Sequence, residues 1–152
     1  SVFTVYLPAS SEAVYHEPDE RHADLSGKGR ILVMDDDDGV LAIAEKFITY
    51  LGYDFQLARD GAEAVTMYTA ARESGNPYNA VILDLTVPGG MSGKDCVARL
   101  RELDPGVRAI LSSGYINDPV VINFHDYGFR DVITKPYRID ELGRILNRVL
   151  LD

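Results

Sequence analysis

Ile31-Leu32-Val33-Met34-Asp35-Asp36-Asp37-Asp38 joins an unbroken apolar run to four consecutive carboxylates. Four aliphatic residues with no polar break read as a strand buried on both faces, as in a parallel sheet. Carboxylates at its carboxyl end concentrate negative charge where open α/β sheets bind ligands. Two carboxylates ~4 Å apart repel by roughly 4 kcal/mol at an effective dielectric near 20, so the cluster calls for a cation. Oxygen ligands without Cys or His neighbours select a hard ion, Mg²⁺ first, then Mn²⁺ or Ca²⁺. Taken alone, the same residues also suit an acidic helix start, with Asp as N-cap and dipole partner.

Outward from this stretch, strand and helix patterns alternate. Val40 to Leu51 carries helical spacing (Val40, Ile43, Ala44, Phe47, Ile48, Leu51) and stops at Gly52. Tyr53 to Ala58 reads as a second strand and Ala62 to Glu73 as a second helix. Ala80 to Leu85 is another apolar strand, carrying Asp84, and Gly93 to Leu103 a third helix. Val107 to Ser112, Pro119 to Tyr127, Asp131 to Thr134 and Ile139 to Leu151 continue as strand, short helix, strand and amphipathic helix. Five such units imply a parallel sheet covered by helices on both faces.

The 152 residues suit one domain with a real core, and 46% hydrophobic with 26% charged residues is an ordinary globular balance. A net charge of −9 leaves no basic surplus to neutralise nucleic-acid phosphates. The lone Cys96 excludes an internal disulfide and suits a reducing cytoplasm. No apolar stretch reaches the ~18 residues of a membrane span, and no export signal opens the chain. A cytoplasmic location is expected.

Parallel strands bring their carboxyl ends to one edge. Strand one delivers Asp35 and Asp36, strand three Asp84, strand four Ser112 and Ser113, and strand five Lys135. Singly, an Asp ending a strand is a cap or turn former and a lysine is a solvated side chain. Together they suit phosphoryl chemistry: carboxylates hold a divalent ion, one attacks phosphorus, and the lysine and hydroxyl bind the transferred oxygens.

Residues 30–152 resemble a receiver domain of two-component signalling. The matching pieces are Ile31 to Asp37, Val81-Ile82-Leu83-Asp84-Leu85-Thr86-Val87-Pro88, Gly93, Ile110-Leu111-Ser112-Ser113-Gly114 and Thr134-Lys135-Pro136-Tyr137. The resemblance implies a flavodoxin-like (βα)5 fold with strand order 2-1-3-4-5. It implies that Asp84 accepts the phosphoryl group, that Asp36 ligates Mg²⁺ (with Mn²⁺ as an alternative), and that Asp35 does so mainly through water. The backbone carbonyl of Thr86 would complete the protein ligands alongside Asp84. Ser113 matches the switch hydroxyl and Lys135 the phosphoryl-binding lysine; Asp37 is expected as an accessory acid and Asp38 as the cap of the first helix. Such a domain accepts and slowly hydrolyses phosphoryl groups; its partner is a histidine kinase or histidine phosphotransfer domain, and a homodimer would use the helix 4–strand 5–helix 5 face.

Two departures bear on the switch. Val132 stands three before Lys135, where many receivers carry a Tyr or Phe whose ring flips, so signalling is expected through Ser113 and backbone movement. Gly89-Gly90 lengthens the loop after Pro88 by one residue and is expected to make it mobile. Tyr115, two beyond Ser113, is positioned by sequence to overhang the acyl phosphate and hinder water.

Ser1-Val2-Phe3-Thr4-Val5-Tyr6-Leu7-Pro8 is similar to the closing strand of a histidine-kinase ATP-binding domain. The expected organisation is therefore 1–10 as the remnant of that strand, 11–29 as a polar linker and 30–152 as the receiver of a hybrid histidine kinase. A tether of this kind raises the effective concentration of receiver near kinase. His16, His22 and His125 show neither phosphodonor nor metal-ligand context.

A rival reading starts from Asp36-Asp37-Asp38-Gly39-Val40, which resembles the signature of haloacid-dehalogenase-type phosphatases. Asp36 would then be nucleophile and Asp38 general acid/base, with Ser112 and Lys135 recruited. That family needs a further acidic pair at a strand end after the lysine, where only Asp140, Glu141 and the terminal Asp152 remain. It also leaves Asp84 without a role. A degenerate, docking-only receiver is the third reading, and the intact acids, hydroxyl and lysine argue against it.

Overall fold

Residues 26–151 are described by the structure, a computed structural model. The strands are β1 (Arg30–Met34), β2 (Asp54–Ala58), β3 (Ala80–Asp84), β4 (Ala109–Ser113) and β5 (Asp131–Thr134). All pairings are parallel and the order is β2-β1-β3-β4-β5, the flavodoxin-like arrangement expected from the sequence. The helices are α1 (Asp38–Tyr50), α2 (Gly61–Glu73), α3 (Gly93–Leu103), the one-turn α4 (Pro119–Ile122) and α5 (Ile139–Leu151). No described helix is long and apolar enough to cross a membrane.

The period-2 alternation of buried strands divides the core into two layers. Leu32, Met34, Val81, Leu83 and Leu111 face α2 and α3, meeting Ala64, Tyr68, Cys96 and Leu100. Ile31, Val33, Ile82, Ile110 and Ile133 face α1 and α5, meeting Leu41, Ile48, Leu142 and Leu146. Burial on both sides is why β1 and β3 read as continuous apolar runs rather than alternating ones.

Helix starts are set by local carboxylates and hydroxyls. Asp37 caps α1: its backbone is extended and its Oδ1 accepts from Gly39 N–H at 2.8 Å and Val40 N–H at 3.3 Å. This corrects the sequence expectation that Asp38 caps the helix and Asp37 is an accessory acid. Asp38 is already helical and its carboxylate turns outward to Arg59, 2.5 Å away. The expected short helix 119–127 divides into α4 and a 3-10 turn over Phe124–Tyr127. Asn123 leaves helical geometry (φ −110°, ψ 34°) after the poorly helix-forming Val120-Val121-Ile122 run.

Residues 1–10 and most of the expected linker lie outside the described residues. Its last residues are fastened to the domain. Gly27 N–H donates to the Leu51 carbonyl at 2.9 Å, and Asp54 N–H donates to the Gly29 carbonyl at 2.9 Å. A Cβ on Gly27 would collide with the Tyr53 hydroxyl, so the glycine lets the chain pass close to this ring.

The Asp37 cap has a measurable consequence. Asp37→Ala should lower unfolding free energy by about 1 kcal/mol, while Asp38→Ala stays within about 0.5 kcal/mol. Urea unfolding of both variants reads the difference, and equal losses would return the cap to Asp38.

Candidate functional site

Met34 pairs with Leu83, so the next residue of each strand, Asp35 and Asp84, emerges at adjacent points of the same edge. Asp84 in turn pairs with Ser112, and Ser113 with Thr134, which puts Lys135 one step beyond. Main-chain bonds extend the sheet past its formal end: Asp35 N–H to Ala58, Leu85 N–H to Ser112 and Lys135 N–H to Ser113, each at 3.0 Å. Asp35, Asp84, Ser113 and Lys135 are thus placed by strand register, while Asp36 and Thr86 lie in the loops that follow β1 and β3.

Asp35 is fully buried and Asp84 nearly so. Lys135 Nζ lies between them, 2.7 Å from Asp35 Oδ2 and 2.9 Å from Asp84 Oδ1. The Asp84 contact is an aligned hydrogen bond, whereas Asp35 Oδ2 has the ion pair but no aligned donor. Asp35 Oδ1 accepts from Asp37 N–H at 2.9 Å. Carboxylate oxygens of Asp35, Asp36 and Asp84 all lie within 4.8 Å of one another. Three carboxylates against one ammonium leave an excess of negative charge, and a buried oxygen without an aligned donor suits a hard divalent ion.

Electrostatics within the triad follow from burial. Burial raises the Asp84 carboxyl to about 6, helped by the Asp35 charge and opposed by the Lys135 hydrogen bond and the Thr86 N–H. Burial works against the Lys135 ammonium, but the adjacent Asp35 and Asp84 carboxylates prevail and hold it above its ordinary value.

Asp36, Asp37, Thr86, Ser113 and Tyr115 line the same open cleft. Ser113 Oγ is held by its own loop, accepting from Tyr115 N–H at 3.0 Å. Tyr115 keeps an exposed ring, and Val132 is half-buried where a switch aromatic would stand. The rival phosphatase pair is not assembled: Asp36 joins the cleft, while Asp38 faces Arg59 outside it.

Glycine is needed where α3 begins. A Cβ on Gly93 would stand 2.4 Å from the Asp84 carbonyl oxygen, so this helix start approaches the strand end directly. The loop before it, which carries Gly89-Gly90, closes one turn on itself and makes one main-chain bond to the start of α2. Gly90 N–H donates to the Val87 carbonyl, Gly61 N–H to the Met91 carbonyl, and a Cβ on Gly90 would press on Asp60. Of this glycine pair, Gly89, at φ +77°, uses the left-handed region with open space around it.

One bond beside the site was not read from the sequence. Ser112 and Tyr137, both buried, join hydroxyl to hydroxyl at 2.7 Å. Strand alternation was the available signal: adjacent Ser112 and Ser113 must point to opposite faces of the sheet.

The response regulator receiver domain family model matches residues 31–147. The chain belongs to this family. The receiver domain is 33% identical over 115 residues to the transcriptional regulatory protein YkoG of Bacillus subtilis, covering 76% of this chain and 48% of that protein. It is 25% identical to the sensor kinase CckA of Brucella abortus over 159 aligned positions, covering 99% of this chain and 16% of the kinase. The chain therefore spans about half of one relative and a small part of the other. Among solved structures, the receiver domain of sensor histidine kinase PA1611 from Pseudomonas aeruginosa superposes with a TM-score of 0.72 at 25% identity. It covers 83% of this chain and 100% of that one, and that structure has a magnesium ion coordinated in its active-site cleft. This is a receiver domain of two-component signalling, a class that works with histidine kinases or phosphotransfer proteins.

The raised Asp84 value carries a sign. Unfolded, the carboxyl titrates near ~3.9; folded, near about 6. Its contribution to stability is full below pH ~4 and is lost as pH rises through the folded value. Without metal, Asp84→Asn should therefore raise Tm at pH 7.5 by on the order of a few degrees, with the gap closing towards pH 4. A lower Tm at pH 7.5 would show that the ion pair with Lys135 outweighs burial.

Proposed function

We propose that Asp84 accepts a phosphoryl group from a phosphohistidine on a partner kinase or phosphotransfer domain. The observation that carries this reading is the Lys135 ammonium held against both Asp35 and Asp84 at adjacent strand ends. A carboxylate oxygen of Asp84 attacks phosphorus in line. The P–N bond breaks, and the imidazole nitrogen leaves with its electron pair and takes up a proton. Lys135 is already within 2.9 Å of Asp84, so its charge follows the phosphoryl oxygens with little movement. Ser113 redirects its hydroxyl proton, which now points to the Tyr115 carbonyl at 3.4 Å, to another phosphoryl oxygen.

Asp35, Asp36 and Asp84, with the Thr86 carbonyl, would hold Mg²⁺, or Mn²⁺ in its place. Bound there, the ion neutralises the phosphoryl oxygens. The acyl phosphate later hydrolyses, and the exposed Tyr115 ring at the cleft edge slows water. Cys96 takes no part; burial pushes its thiol up to about 12.

Phosphorylation replaces the single carboxylate charge of Asp84 with a phosphoryl group of about −1.5 to −2 charges close to Ser113. Withdrawal of the Ser113 hydroxyl from Tyr115 then biases the face made by α4, β5 and α5. Coupling of only ~1–3 kcal/mol changes partner affinity about five- to 150-fold. A second copy of the domain is one partner for that face.

The parent protein in this reading is a cytoplasmic or membrane-anchored hybrid histidine kinase, with residues 11–29 as tether. Support comes from the alignment to the sensor kinase CckA, which takes in 99% of the chain. The resemblance of residues 1–10 to a kinase closing strand points the same way, and the free, buried Cys96 suits a reducing compartment.

Incubation with radiolabelled acetyl phosphate tests the transfer. Label should enter the parent only with Mg²⁺, vanish with EDTA and be absent from Asp84→Asn. Lys135→Ala should slow labelling by about 100-fold or more, the scale of losing an electrostatic stabiliser. Label persisting in Asp84→Asn would overturn the assignment.

A further inference from the structure

The Ser112–Tyr137 bond lies beside the site but has no part in the transfer described above. Ser112 is the register partner of Asp84, and its carbonyl accepts from Leu85 N–H at 3.0 Å. Tyr137 lies two residues past Lys135, across Pro136. The segment carrying the lysine is consequently pinned to β4 at two points. Lys135 N–H meets the Ser113 carbonyl at 3.0 Å on one side, and the Tyr137 hydroxyl meets Ser112 Oγ at 2.7 Å on the other. Between these anchors the ammonium reaches Asp35 and Asp84.

Packing alone does not call for those hydroxyls. The Tyr137 ring sits among Ile110, Ile133 and Leu142, an environment that phenylalanine would fill equally well. Ser112 is fully buried in a strand otherwise made of Ala109, Ile110 and Leu111 before the switch serine. Burying two hydroxyls in an apolar layer is unfavourable unless they satisfy one another, and at 2.7 Å they do. Burial also pushes the Tyr137 hydroxyl up to about 12, so it presents a dipole and no charge to the neighbouring triad.

We propose that Tyr137 is a positioning residue: its hydrogen bond to Ser112 fixes the Lys135 segment to β4 and so sets where the lysine ammonium stands relative to Asp84. The inference rests on the phosphoryl-transfer reading. It also links the lysine segment to the strand that bears Ser113, so movement of the switch serine and of Lys135 is shared.

Tyr137→Phe, Ser112→Ala and the double variant test this with acetyl phosphate and Mg²⁺. Each single variant should lower the maximal labelling rate about three- to tenfold, short of the ~100-fold expected for a 1 Å misplacement. Half-saturation by Mg²⁺ should stay within about twofold, separating lysine placement from metal binding. The double variant should lose no more than the worse single one, because one bond is removed in all three. In the parent and Tyr137→Phe, the ¹⁵N resonance of the Lys135 ammonium should differ, a readout that core packing alone would not move. Unchanged rates in both single variants, or losses that multiply in the double variant, overturn the proposal. A parent that labels normally beside unchanged variants removes this inference alone; a parent that takes no label removes the transfer reading with it.

Discussion

Two buried carboxylates flank one ammonium, and much of this domain exists to hold them there. Asp35 and Asp84 are almost without solvent, and Lys135 Nζ stands within 3 Å of an oxygen of each. Burying acids in this way is tolerated only with a cation close by. Parallel register supplies the geometry: Met34 beside Leu83 forces Asp35 beside Asp84, and β5 delivers the lysine from two strands away. Gly93 completes the arrangement by letting α3 begin against the Asp84 carbonyl.

The same triad is deliberately unbalanced. With Asp36 counted, three carboxylates share one lysine, and burial drives Asp84 upward despite that neighbour. Such a site gains from a divalent ion and from a group that takes over the lysine. A phosphoryl group on Asp84 would do the second, and would draw the Ser113 hydroxyl proton from the Tyr115 carbonyl. Val132 offers no ring to rotate, and in the proposed reading the signal leaves through β4 and the loop after it.

The fold and the main site residues were legible because they depend on simple periodicities. Unbroken apolar runs over Ile31–Met34 and Ala80–Leu83 mark doubly covered strands, and whatever follows each run must share one edge. Finer choices were not legible. Asp37 and Asp38 are chemically identical, and only the backbone turn decides that Asp37 caps α1 while Asp38 meets Arg59. The glycines after Pro88 suggested a mobile loop; what no local pattern announced is the turn that Gly90 N–H closes onto Val87 and the bond from Gly61 N–H to Met91. Strand alternation turns Ser112 away from the Ser113 face, but its partner Tyr137 is 25 residues on and no local pattern names it.

Chemical trapping tests the central claim most directly. Borohydride reduces an aspartyl phosphate to homoserine, and peptide mass spectrometry then locates the altered residue. After treatment with acetyl phosphate and Mg²⁺, the account predicts homoserine at position 84 and unaltered aspartates at 35–38. Homoserine at position 36 would contradict it and restore the phosphatase-like reading of the acidic run.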